Sequence, residues 1–276
     1  MAKFTKTLIA AGLLAAAATP AFAADYSGDI HKNDYKWMQF NVMQSVDARI
    51  PFNNQNTTYF EMEFGGRSGL FDLYGYVDVF DLLDRTHDDR HNGDNMFIKF
   101  APRMSLDALT GADLSFGPVK ELYIATVTNV GDKGLFEHYI GLGSDVEVPW
   151  FGKVGFNTYA RYVRENYGAE NEREWDGYMV STNWFKPFYT FSNGSFISYQ
   201  GYLDYKFGAD KIADNGFNAS NSLEWFNGIY WHSDRYSVGY GLKVFNNMAL
   251  IRDNESNNPM TDTSGIGHYF AATYKF

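Results

Sequence analysis

Large apolar residues alternate with small or polar ones through most of the chain, and a period of two is that of extended strands with unlike faces. In residues 267–276, His268, Phe270, Ala272, Tyr274 and Phe276 share one face. Gly267, Tyr269, Ala271, Thr273 and Lys275 share the other. In residues 195–207, Ile197, Tyr199, Gly201, Leu203, Tyr205 and Phe207 oppose Ser198, Gln200, Asp204 and Lys206. Phe71, Leu73, Val77 and Val79 oppose Asp72, Tyr74, Tyr76 and Asp78, and Phe60, Met62 and Phe64 oppose Tyr59, Glu61 and Glu63. The pattern recurs around Lys99 and Arg103, around Tyr159 and Arg161, and around Lys243. It divides the chain into about twelve segments of roughly 9 to 13 residues, each long enough to cross a bilayer as a tilted strand.

A soluble sandwich alternates in the same way but puts its apolar face inside. Link length separates the two cases. Long links are expected after Val46 and at 81–95, 129–137, 164–174, 208–221 and 246–264. Short ones are expected at 65–69, 107–112, 149–153 and 233–235, with an intermediate one at 186–194. Long and short links on opposite rims, with both termini on the short side, are the layout of an outer-membrane barrel. The expected fold is therefore all-β: a transmembrane antiparallel β-barrel of about 12 strands, both termini periplasmic, whose last strand pairs with its first to remove the open edges. Two places resist this scheme. Lys120 falls on the lipid-facing parity unless Gly117 and Pro118 mark a bulge that changes the phase. Residues 223–231 are apolar on both faces, so parity cannot say which side points inward.

Lys3 and Lys6, an apolar run and Ala21-Phe22-Ala23 have the form of a secretory signal. Residues 1–23 are expected to be removed, leaving 24–276 as a single barrel domain and taking the net charge from −10 to −12 with the loss of two lysines. With no cysteine, export brings no disulfide framework. Beyond residue 23 no run approaches the roughly 18 apolar residues of a membrane helix. Aromatics nevertheless make up 18% of the chain, as aromatic girdles require. The acidic balance argues against nucleic acid as a partner.

Several strings are distinctive: FDLYGYVD (71–78), PRMSLDALTGADLSFGPVKELY (102–123), GLGSD (141–145) and NYGAENEREWDGY (166–178). In these the chain resembles the nucleoside-specific channel-forming proteins of the Gram-negative outer membrane, the Tsx-like family. HKNDYKWMQFN (31–41), EMEFGGRSG (61–69) and NGIYWHSDR (227–235) resemble its outer membrane protein K branch. The resemblance implies a monomeric twelve-stranded barrel in outer-membrane lipid that passes nucleosides and serves bacteriophages as a receptor at its outer loops. No cofactor is implied. Residues 46–55 do not match the better-known nucleoside channels, so no family residue is carried over there.

A nucleoside offers a flat base that stacks on aromatic rings and ribose hydroxyls that donate and accept hydrogen bonds. The inward parity supplies matching groups: Tyr59, Tyr74, Tyr76, Tyr123 and Tyr159, with Glu61, Glu63, Asp72, Asp78, Lys99, Arg103, Glu121 and Arg161. The competing reading makes these residues ladders that fill a small barrel and touch no solute. His87 and His91 flank Asp88 and Asp89, but in a polar loop rather than on the helix that would make such a spacing a metal site. No catalytic motif is found, although a membrane-facing Ser and His pair from distant strands would make a hydrolase. A structural or phage-receptor barrel without selective transport is the third class.

Overall fold

The computed structural model describes residues 24–52, 56–80, 82, 95–213, 216–253 and 261–276. The expected signal segment, and His87, Asp88, Asp89 and His91, lie outside these residues. Among the described residues the strands are β1 (Tyr35–Val46), β2 (Thr57–Ser68), β3 (Phe71–Val79), β4 (Met96–Phe100), β5 (Arg103–Ser105), β6 (Val119–Gly131) and β7 (Leu135–Val148). They continue as β8 (Gly152–Asn166), β9 (Glu174–Thr190), β10 (Phe196–Phe207), β11 (Ser222–His232), β12 (Tyr236–Asn246) and β13 (Gly265–Lys275).

Both β4 and β5 pair with β3 on one side and β6 on the other. They are two halves of one barrel strand, parted where Pro102 lacks the N–H a ladder needs. The remaining neighbours pair antiparallel in sequence order, and β1 pairs with β13 from Gln39↔Lys275 to Val46↔His268. The result is a closed twelve-stranded barrel. Its last residue helps to seal it: the Phe276 N–H donates to the Met38 carbonyl at 3.1 Å, and the Phe276 ring packs edge-on against Phe40 at 4.8 Å.

The apolar parity faces outward, as expected of a barrel in lipid, with Leu142 65% exposed. The start of β1 and the end of β13 lie on the rim of the links at 69–70, 149–151, 191–195 and 233–235, called the short-turn rim. The link at 106–118 shares that rim and is longer than expected. It contains α1 (Leu106–Thr110), capped by Ser105 Oγ, which accepts from the Ala108 N–H at 3.1 Å, and ended by Gly111 in the left-handed region at φ 68°. The Asp107 carboxylate accepts from the Leu114 and Leu122 N–H groups and ties this link down.

The long link expected at 129–137 is a correction. β6 and β7 run on until only 132–134 connect them, and Asn129 faces Glu137 across the ladder. Charged and amide side chains there point into the lumen, so their polarity marks the inside of a strand rather than a loop. At the start of β6 the register skips from Val119 to Glu121, which is the bulge expected beside Pro118. Lys120 therefore sits at the short-turn rim with Nζ 3.4 Å from the Gly117 carbonyl, not at mid-span. In β11, Leu223, Trp225, Ile229 and Trp231 lie on the lipid parity and Glu224, Phe226, Tyr230 and His232 on the lumen parity.

Candidate functional site

The lumen carries three groups of polar side chains. Nearest the short-turn rim, Arg67 binds Asp72 (3.3 Å) and Glu121 (2.9 Å), and Arg103 binds Asp72 (3.3 Å) and Asp145 (2.9 Å). Lys153 adds a second cation to Asp145 at 3.1 Å. The Arg103 guanidinium lies 4.0 Å from the centre of the Tyr123 ring, whose hydroxyl accepts from Arg67 and donates to Asp145. Each charge here has an opposite partner, and Tyr123 has no exposed surface. Burying unpaired charges would cost several kcal/mol, so these pairs hold one another in place.

Toward the long-loop rim, Arg161 binds Glu137 (2.6 Å) and Asp176 (3.5 Å). The Tyr139 hydroxyl donates to Glu137 at 2.9 Å, and Tyr159 packs edge-on to Tyr139 at 6.2 Å. Arg161 is 3% exposed, so this group too is sealed.

Between them lies a third layer. Lys99 reaches across the lumen to Asp204 at 3.3 Å, with Nζ 6.0 Å from the Tyr76 ring and 5.9 Å from the Tyr202 ring. Lys243 stands 5.4 Å from the same Tyr202 ring and binds Glu224 at 2.6 Å. On the adjoining wall Glu61 accepts from Asn41 at 2.6 Å, and Glu63 accepts from the Tyr74 hydroxyl at 2.8 Å. Asp78 faces Glu61 across the β2–β3 ladder. Tyr59 belongs to an inward apolar cluster with Met43, Tyr230, Phe245 and Tyr269. On β12, a Cβ on Gly239 would meet Tyr230 at 2.1 Å and one on Gly241 would meet Phe226 at 2.3 Å. Two aromatic rings therefore lie against the wall where a side chain would otherwise stand.

All thirteen residues expected to face inward do so. The structure divides them: Asp72, Arg103, Glu121, Tyr123, Tyr159 and Arg161 are bound up in the two end groups, Glu61, Glu63, Tyr74, Tyr76, Asp78 and Lys99 line the middle layer, and Tyr59 belongs to the apolar cluster. The Tyr74 and Tyr76 rings are 6.2 Å apart but inclined at 67°, so a flat base can stack on one and not on both. Tyr202, Asp204, Glu224 and Lys243 were missed as site residues. The parity that placed Asp204 and Lys243 inward also covers Tyr202, whereas Glu224 became legible only from its partner.

A Ser and His do meet, but from the neighbouring strands β10 and β11 rather than from distant ones: Ser198 Oγ lies 2.9 Å from His232 Nε2. It faces the lumen rather than the membrane. Ser198 is 0% exposed, and the imidazole is stacked on Phe196 at 4.5 Å, so no substrate carbonyl can approach the hydroxyl. His138 and His268 face outward and are hydrogen-bonded to Thr128 and Tyr240.

A family described as "Nucleoside-specific channel-forming protein, Tsx" matches residues 32–276. The chain belongs to this family. It is 55% identical over 274 residues to outer membrane protein OmpK of Vibrio parahaemolyticus, covering 98% of this chain and 99% of that one. It is 34% identical over 298 residues to the nucleoside-specific channel-forming protein Tsx of Klebsiella pneumoniae, covering 98% and 99%. Among solved structures it is similar to the KdgM porin in complex with disordered oligogalacturonate, with a TM-score of 0.47, 10% identity and coverage of 86% and 99%. As a Tsx-family barrel the protein is an outer-membrane channel of a Gram-negative bacterium.

Proposed function

We propose that this barrel is a passive diffusion channel selective for nucleosides, working as a monomer without cofactor or energy source. The observation that carries the reading is the middle layer, where cations and aromatic rings alternate as Tyr76, Lys99, Tyr202 and Lys243, with carboxylates on both sides. A base can stack on a ring for about 1 to 3 kcal/mol, and ribose hydroxyls can donate to the carboxylates. Such binding is weak enough to release the solute at either end, as conduction requires. The two relatives' printed names support the reading in different degrees: one specifies nucleosides, the other only the outer membrane.

In this reading residues 1–23 direct export and are removed, the short-turn rim faces the periplasm, and the long loops face outward, where bacteriophages adsorb. Those loops offer a built surface. Phe52 stacks on Phe217 at 5.6 Å, and Arg252 donates to the Asn218 and Ala213 carbonyls. No catalytic role is assigned.

The test is liposome swelling with nucleosides against sugars of similar size, together with current block by adenosine in a planar bilayer. Faster nucleoside entry and a saturable block support the reading. Conductance without preference makes the barrel a general pore, absence of conductance makes it a receptor or structural barrel, and released fatty acid makes it a hydrolase.

A further inference from the structure

Residues 24–34 fold back on the barrel. Asp25 accepts from Lys32 Nζ at 2.7 Å and from the Ser27 N–H at 2.9 Å, and Asn33 donates to the Asp25 carbonyl at 3.0 Å. Asp34 Oδ1 then accepts from the Gly69 N–H at 2.7 Å, which pins this coil to the β2–β3 turn. One side chain of the coil enters the short-turn mouth. The Tyr26 hydroxyl donates to Glu121 Oε1 at 2.5 Å and accepts from Arg67 Nη1 at 3.0 Å.

These two partners sit on β6 and β2, with β3 and β5 between them in the wall. Arg67 and Glu121 already bind each other, so the pair does not need Tyr26 to balance its charge. What the phenol adds is a ring in the mouth, held by a segment outside the barrel ladder. We propose that Tyr26 is a specificity-determining residue of the channel: a bar across the short-turn mouth that restricts which solutes pass there, set by the segment before β1 rather than by the barrel wall. The proposal rests on the transport reading above. Burial, and then the Glu121 carboxylate, push the Tyr26 hydroxyl up to about 12, so it remains a donor at any pH the outer membrane meets.

The experiment uses the full chain, exported and purified from outer membranes, as the parent and as Tyr26→Phe and Tyr26→Ala. Cooperative thermal unfolding shows which variants are folded. Potassium chloride conductance and adenosine block are measured with adenosine added first on one side of the bilayer and then on the other. Tyr26→Ala is expected to raise conductance and to increase severalfold the rate at which adenosine enters from the short-turn side, leaving the rate from the long-loop side unchanged. Tyr26→Phe keeps the ring and loses both hydrogen bonds, so it should fall between the two. Parental conductance and entry rates in folded Tyr26→Ala channels overturn the proposal and leave Tyr26 as an anchor. If the parent shows no adenosine block, the nucleoside reading fails on its own, and the conductance comparison still decides whether Tyr26 bars the mouth.

Discussion

Lys99 and Asp204 meet at 3.3 Å although β4 and β10 stand nearly opposite each other in the barrel, with β6 to β9 between them on the shorter way round. A long lysine stem is what allows the lumen to be bridged. We expect Lys99→Ala to raise single-channel conductance and to weaken adenosine block by about tenfold, roughly 1.4 kcal/mol. A rise in conductance with block unchanged would make the bridge purely steric.

The Tyr76 and Tyr202 rings flank that bridge. Tyr76→Ala and Tyr202→Ala should each cost up to about 1 to 3 kcal/mol of adenosine binding if a base stacks there. Asp78→Asn keeps the shape and removes a charge, so it should chiefly shift ion selectivity. Current-block titration and reversal potentials check both, and parental values throughout would place the solute site elsewhere.

Gly239 and Gly241 leave room for rings that lie flat on the wall. A side chain at Gly241 must displace the Phe226 ring, which it would otherwise meet at 2.3 Å. Gly241→Val is expected to destabilise the barrel by about 1 to 3 kcal/mol, as overpacking does, or to push the ring into the lumen and lower conductance. Urea unfolding from lipid vesicles and bilayer recording distinguish the two results.

Asp34 holds the segment before β1 through the Gly69 N–H, and its carboxyl lies below the ordinary carboxylate range because of that bond and then of His31. A lowered folded value means that the contribution is present above the unfolded value, about 3.9, and is lost as pH falls through the folded one. The Gly69 amide should therefore exchange faster with solvent in acid than its intrinsic rate predicts. Asp34→Asn should remove that pH dependence, which hydrogen exchange measures.

Arg252 ties two long loops together through the Asn218 and Ala213 carbonyls. Arg252→Ala should free Ala213 and Asn218, raise protease cleavage beside them and reduce phage adsorption while conductance persists. Normal adsorption after this change and after trimming each long loop would remove the loops as the receptor surface.

The strand count, the closing strand and the inward set were legible in the sequence because a strand wall with lipid on one side forces a period of two. The bulge at Lys120 was legible because Gly117 and Pro118 mark it. The length of β6 and β7 past Asn129 and Glu137 was not, since polar side chains look alike in a loop and in a lumen. Nor could parity rank the inward residues. It placed Tyr123, Arg161 and Lys99 alike, yet the first two are sealed in ion-pair networks and the third bridges the barrel to Asp204 between two rings. Alternation reports which way a side chain points along its own strand. Which residue it meets depends on closing the barrel, and only the tertiary structure brought β4 to β10 and Tyr26 to Glu121.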